Sequence, residues 1–241
     1  MNENSFPEFQ IQPTADGCDT LYSPTYGETY HSRYGALFET AYVFLEGTGV
    51  KQRLAEGQPT RILEVGFGTG LNFWATAYLS RAGYTRLHYI ALEKHFLPTA
   101  VFARLNHDCL PNLAQDVRAA FLVWRAQLPE PLPTSLTWTF GTIQLDLMIG
   151  DAAEMPIPGE AYDAIYQDAF SPKANPELWT VDFFARLYER LHPGGTLATY
   201  SVKGSVRRAL QAVGFRVEKH PGPPGKREIL AAQRPGEKNI K

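Results

Sequence analysis

Cysteine is scarce in this 241-residue chain: Cys18 and Cys109 stand far apart, with no C-x-x-C pair. That argues against a disulfide framework or a cysteine zinc site, and both thiols are expected to be buried or incidental. The six histidines, His31, His88, His95, His107, His192 and His220, show no ligand spacing, so no metal is expected. The chain has neither a G-x-S-x-G elbow nor a Walker lysine, which removes α/β-hydrolase and P-loop chemistry. No apolar run approaches the roughly 18 residues of a membrane span, and residues 1–20 hold no segment of the signal-peptide kind. A cytoplasmic protein without membrane contact is expected. Net charge is small, at −2. Taken whole, that argues against a nucleic-acid binder, whose domains carry a positive excess to neutralise phosphates.

What is present is a globular composition, 44% hydrophobic and 20% charged, enough to bury one α/β core at this length. Strand-like runs fall at 61–65, 87–92, 145–149, 162–166, 196–200, 215–219 and 228–232. Helix-like periodicity lies between them at 71–80, 98–106, 112–126, 176–191 and 204–213. Such alternation predicts a mostly parallel, seven-stranded sheet covered by helices on both faces. The last two strands are separated by a Pro- and Gly-rich link too short for a helix, so they are expected to form an antiparallel hairpin. Residues 1–45 read as an irregular N-terminal arm with at most one hairpin, packed on the core. Residues 46–232 read as the domain proper, with a proline-rich loop at 129–133, and 233–241 as a frayed tail.

The sharpest motif is Glu64-Val65-Gly66-Phe67-Gly68-Thr69-Gly70, placed where strand gives way to helix. Glycines there let the backbone approach a ligand and aim N–H groups at it. A dinucleotide fingerprint needs a further glycine at position 71, which is leucine. Glu64 also suits a ligand without pyrophosphate, and S-adenosylmethionine (SAM), with cationic amino and sulfonium groups, fits better; a glycine turn that serves packing alone is the alternative. Glu93 closes the second strand, where an acid can accept from ribose hydroxyls, and Asp151 follows the third, where a carboxylate can accept from an adenine amine. Each alone could be a solvated loop acid or a helix cap. Together they line the carboxyl edge, where open α/β folds bind ligands.

The fourth strand ends Tyr166-Gln167-Asp168-Ala169-Phe170-Ser171-Pro172. Amino-directed methyltransferases often place Asp or Asn, two prolines and an aromatic here, to hold the attacking nitrogen and pack its plane. Asp168 and Phe170 match loosely and the two prolines are missing; an aspartate capping Ser171-Pro172 is the alternative. Trp179, Phe183 and Phe184 could stack a base, though aromatics at that spacing more often pack a core. Charge is unevenly spread. Residues 1–200 hold 13 Lys and Arg against 22 Asp and Glu, a balance of −9, whereas 201–241 hold 10 against 3, a balance of +7. An acidic chain can still present one basic face.

Further segments carry a resemblance: Tyr42-Val43-Phe44-Leu45-Glu46-Gly47, Gly66-Phe67-Gly68-Thr69-Gly70-Leu71-Asn72-Phe73, Glu93-Lys94, Asp168-Ala169-Phe170-Ser171-Pro172-Lys173-Ala174-Asn175-Pro176-Glu177-Leu178-Trp179, Gly194-Gly195-Thr196-Leu197-Ala198-Thr199-Tyr200 and Lys226-Arg227-Glu228. Across about residues 26–230 the chain resembles the methyltransferase half of the bifunctional tRNA 5-methylaminomethyl-2-thiouridine biosynthesis protein family (MnmC) and its stand-alone MnmD-type relatives. The 168–179 stretch is the most specific part. Ala169 departs from the glycine usual in the bifunctional proteins but stays small. The resemblance implies a Rossmann-like class I SAM-dependent methyltransferase that methylates the aminomethyl group of the wobble uridine in the tRNA anticodon loop. The family's flavin-dependent oxidoreductase half is expected to be missing, so no flavin is expected; nor is a metal or an obligate protein partner. Asp168 is the implied catalytic residue. The implied cofactor site takes in Glu64, Gly66, Phe67, Gly68, Thr69, Gly70, Asn72, Glu93, Lys94, Asp151, Ala152, Asp168 and Phe170. For the substrate the expected contacts are Phe170, Pro172 and Trp179, with Lys203, Arg207, Arg208, Lys226 and Arg227 on phosphates. An aminopropyltransferase-like enzyme acting on another amine, or a non-catalytic RNA-binding module with a vestigial pocket, would share parts of this pattern.

Overall fold

The computed structural model describes residues 9–159, 161–222 and 228–236. Three short strands open the chain, β1 (Gln10–Pro13), β2 (Asp19–Ser23) and β3 (Glu28–Thr29), paired antiparallel in one small sheet. They lead into α1 (Ala36–Glu39), a π-helical stretch (Thr40–Glu46) and α2 (Val50–Ala55). The main elements follow: β4 (Thr60–Val65), α3 (Leu71–Ala82), β5 (Leu87–Glu93), α4 (Thr99–Arg104), α5 (Asn112–Ala126), β6 (Ser135–Phe140), β7 (Ile143–Ile149), β8 (Tyr162–Gln167), a 3-10 turn (Pro176–Trp179), α6 (Val181–Arg190), β9 (Leu191–Thr199), α7 (Gly204–Val213), β10 (Arg216–Pro221) and β11 (Glu228–Gln233).

The large sheet runs β10-β11-β9-β8-β4-β5-β7-β6. Its five central strands, from β9 to β7, are parallel, and both edges are antiparallel. Parallel strands must be covered on both faces, and the alternation along each strand shows how. Ile62, Tyr89 and Ala91 pack with Phe73 and Trp74 of α3 and Phe121 of α5, whereas Leu63, Val65, Ile90 and Leu92 pack with Phe183, Phe184 and Leu187 of α6 and Leu210 of α7. The first of these layers is rich in aromatics: Phe67, Phe73, Trp74, Phe121 and Trp138 meet edge to face or tilted.

Several expectations need correction. The sheet has eight strands, not seven; the additional one, β6, alternates buried Leu136 and Trp138 with outward threonines and turns at Gly141 into β7. The expected helix at 176–191 breaks at Thr180, whose extended backbone ends the 3-10 turn and whose hydroxyl accepts from the Phe183 N–H at 3.1 Å, capping α6. The arm is more regular than expected, since its three strands form a sheet. Cys18 and Cys109 are neither incidental nor separate: they form a disulfide across 91 positions, with Cα atoms 5.5 Å apart. Beside it, Asp19 and Asn106 exchange hydrogen bonds of 3.0 and 2.7 Å, fastening the arm to the loop before α5. The tail is ordered further than expected: Gln233 ends β11, and Arg234 exchanges main-chain bonds with Gly194 and Gly195 and donates to the Tyr188 and Leu191 carbonyls.

Candidate functional site

A cavity of about 490 Å³ opens at the carboxyl ends of β4, β5, β7 and β8. Past those ends the sheet continues as a short ladder: Gly66 N–H donates to Leu92 O, Gly150 N–H to Glu93 O, and Asp168 N–H to Val65 O. At Gly66, φ is +91°, and a Cβ there would lie 2.9 Å from the Asp168 carbonyl oxygen. Gly68, at φ +53°, faces the Tyr30 ring, which would stand 2.8 Å from a Cβ. Side chains are excluded at both positions by backbone conformation and by neighbours.

Of the expected cofactor residues, Gly66, Phe67, Gly68, Glu93, Lys94, Asp151, Ala152, Asp168 and Phe170 all line this cavity. Their partners refine the picture. Glu93 holds the glycine loop itself, accepting from the Gly68 N–H at 2.9 Å and the His95 N–H at 2.7 Å. Lys94 pairs with Asp151 at 2.7 Å, which holds the Asp151 carboxyl below its ordinary range, and Asp151 also accepts from the Ala153 N–H. Phe67 contributes backbone, since its ring is buried among Phe73, Phe96 and Phe102.

Other expected contacts lie elsewhere. Glu64, Thr69, Gly70 and Asn72 are buried behind the loop rather than lining the cavity. Strand alternation turns Glu64 toward α3, where Asn72 donates to it at 2.7 Å, and burial followed by the nearby Asp168 charge pushes its carboxyl well above the ordinary range. Thr69 meets His31 Nε2 at 3.3 Å. Pro172 and Trp179 are also outside; the Trp179 indole donates to Phe170 O at 2.9 Å, bracing the loop from behind, while Phe183 and Phe184 pack the core. Lys203, Arg207 and Arg208 are exposed around the start of α7, a few residues beyond cavity-lining Tyr200. Lys226 and Arg227 lie outside the described residues.

The far wall of the cavity comes from the arm, which sequence reading missed. Tyr26 stacks on Phe170 with centroids 4.1 Å apart, and Tyr30 meets the same ring edge-on at 4.9 Å. Glu28 accepts from the Ser171 N–H at 3.0 Å and the Ser171 hydroxyl at 2.5 Å, so Ser171 is held by the arm. Tyr200 donates to Ala169 O at 2.8 Å. His31 joins Thr20 of β2 to Thr69 of the glycine loop, and burial lowers its pKa to about 4. Only the tyrosines clustered at 22–30 hinted at such a wall. The cavity carries Glu28, Glu39, Glu93, Asp151 and Asp168 against Lys94, a balance that favours cationic ligands. Its volume is in the range of small-molecule sites, so glycine backbone, carboxylates and space all fit SAM.

An open sheet with a glycine turn after β4 and acids at the ends of β5, β7 and β8 defines a class I SAM-dependent methyltransferase. The family model described as S-adenosyl-L-methionine-dependent methyltransferase matches residues 115–235. The chain is 39% identical over 219 residues to the tRNA 5-methylaminomethyl-2-thiouridine biosynthesis bifunctional protein MnmC of Cupriavidus necator, and 40% identical over 226 residues to that of Aromatoleum aromaticum. These alignments take in 88% and 90% of this chain and 32% and 34% of those proteins, so the chain spans about a third of their length. The crystal structure of MNMC2 from Aquifex aeolicus superposes with a TM-score of 0.79 at 31% identity, over 98% of this chain and 72% of that one. The chain therefore belongs to this methyltransferase family.

Proposed function

We propose that this chain methylates the primary amine of the 5-aminomethyl group on the wobble uridine, or 2-thiouridine, of tRNA. The observation that carries the reading is the meeting of Asp168 and Phe170 with the glycine loop and strand-end acids in one cavity, in a chain whose relatives are named for this nucleoside. When bound, SAM supplies a methyl group on a cationic sulfonium, open to displacement by an amine nitrogen. Gly66 and Gly68 let backbone lie against it, and Glu93 and Asp151 offer acceptors for ribose hydroxyls and the adenine amine.

Only a neutral amine can attack. Asp168 accepts a hydrogen bond from it, orients its lone pair and removes the proton released after transfer. Phe170, Tyr26 and Tyr30 form an aromatic wall against which the uracil ring can pack. A wobble base lies in a single-stranded loop and can be splayed into such a pocket. Lys203, Arg207 and Arg208, exposed at the same sheet edge, meet the phosphates of that loop. A tRNA substrate supports a cytoplasmic location; no helix among the described residues is long and apolar enough to cross a membrane.

The test is Asp168→Asn assayed with SAM and tRNA bearing the aminomethyl group. The expected outcome is a loss of kcat of about 10²-fold or more with SAM affinity retained in calorimetry. Near-full turnover would remove Asp168 from the reaction.

A further inference from the structure

Asn72 is the second residue of α3 and is 3% exposed. Its amide nitrogen donates to two carboxylates at once, Glu64 Oε1 at 2.7 Å and Asp168 Oδ2 at 2.8 Å, while its Oδ1 accepts the Thr40 hydroxyl at 2.7 Å. The amide cannot turn over, because a flipped group would aim its oxygen at both carboxylates. The two acids differ in surroundings. Glu64 is fully buried, with the Asn72 amide and the Tyr89 hydroxyl as its polar neighbours. Asp168 is half-buried and lines the cavity. Of two neighbouring carboxyls the one in the drier place holds its proton more tightly, and burial together with the Asp168 charge raises Glu64 accordingly.

We propose that Asn72 is a positioning residue for methyl transfer: anchored by Thr40 and the buried Glu64, it fixes the Asp168 carboxylate against the amine and is not a cofactor contact. This rests on the reading that Asp168 meets the amine. Among the described residues, the groups that face Asp168 include Glu64 on β4, Tyr89 on β5 and Tyr200 after β9; Glu93 in turn faces Glu64, and Glu28 and Glu39 face Tyr200. Removing the amide takes away a donor shared by Glu64 and Asp168. Asp168 then holds its charge only at higher pH and loses its fixed orientation.

The experiment compares Asn72→Leu, Asn72→Asp and Thr40→Val with the wild-type chain in three measurements. These are SAM affinity by calorimetry, kcat and KM on aminomethyl tRNA across pH, and titration of the Asp168 carboxyl carbon by NMR with SAM bound. SAM affinity and KM should hold. The expected fall in kcat is about 10²-fold for Asn72→Leu and about fivefold for Thr40→Val, the worth of one hydrogen bond. The acidic limb of kcat and the carboxyl midpoint should both move to higher pH, furthest for Asn72→Asp. Lost SAM affinity with kcat kept at saturation would make Asn72 a cofactor contact, and unmoved kcat, limb and midpoint would make it scaffold; either result overturns the proposal. If the Asn72 variants do not fold, Thr40→Val carries the same signs alone. The carboxyl titration needs no acceptor, so it remains decisive even if the wild-type chain leaves aminomethyl tRNA unmethylated, the result that would instead overturn the proposed function.

Discussion

The floor and the far wall of the cavity are built differently. The floor is a row of parallel strand ends whose ladder continues through Gly66, Gly150 and Asp168, with a packed core on both faces behind it. The wall is a small sheet and loop, held to the body by one disulfide, the Asp19 and Asn106 pair, the Glu28 bonds to Ser171 and an aromatic stack on Phe170. A floor made of backbone suits the reactant that is the same in every turnover. A wall made of side chains and tethers suits the other reactant, a base that must be gripped beside the methyl donor.

Cutting the tether should have the largest effect. A disulfide spanning 91 positions stabilises by about 4.6 kcal/mol in the chain-entropy picture. Cys18→Ser should lose about that much against the oxidised wild type in denaturant titration, and reductant should reproduce the loss in the wild type. Acid should come next. His31 has a folded pKa of about 4 against 6.5 when free. The unfolded chain therefore binds a proton that the folded one refuses, and stability is lost as pH falls from 6.5 toward 4, by about 3 kcal/mol for this group. His107, lowered to about 3 by burial, adds to the same limb. Stability of His31→Asn should fall less steeply with acid, and an unchanged slope would contradict the assignment of His31 as a buried neutral bridge.

Breaking the floor comes third. Gly66→Ala forces a side chain into the left-handed region against Asp168 O and should cost about 2 kcal/mol, read as lower SAM affinity and a lower Tm. Smallest is Tyr26→Leu, which removes one stacked ring worth about 1 kcal/mol. It should raise KM for tRNA while leaving SAM affinity alone. A change in SAM affinity from Tyr26→Leu would blur the distinction between wall and floor.

The same contrast explains what could be read from the chain. Strand ends occupy fixed places in an alternating α/β pattern, so the sequence alone assigns Gly66, Glu93, Asp151 and Asp168 to one edge. Glu64 shows the limit: it ends the same strand, but alternation turns it to the helix face, where Asn72 meets it. Tyr26, Glu28, Tyr30 and His31 reach the cavity only because the arm folds back over it, and no local period encodes that. Cys18 and Cys109 likewise become partners through tertiary proximity, which spacing in sequence does not reveal. Strand β6 was legible, since Leu136 and Trp138 alternate with threonines, but it was overshadowed by the prolines before it.

The most direct measurement is mass spectrometry of the wobble nucleoside after the chain is incubated with methyl-labelled SAM and tRNA carrying the 5-aminomethyl group. The account predicts one labelled methyl on the exocyclic amine, and none on the same tRNA bearing an unmodified uridine. Label on another nucleoside, or on free amines with the aminomethyl tRNA untouched, would contradict it.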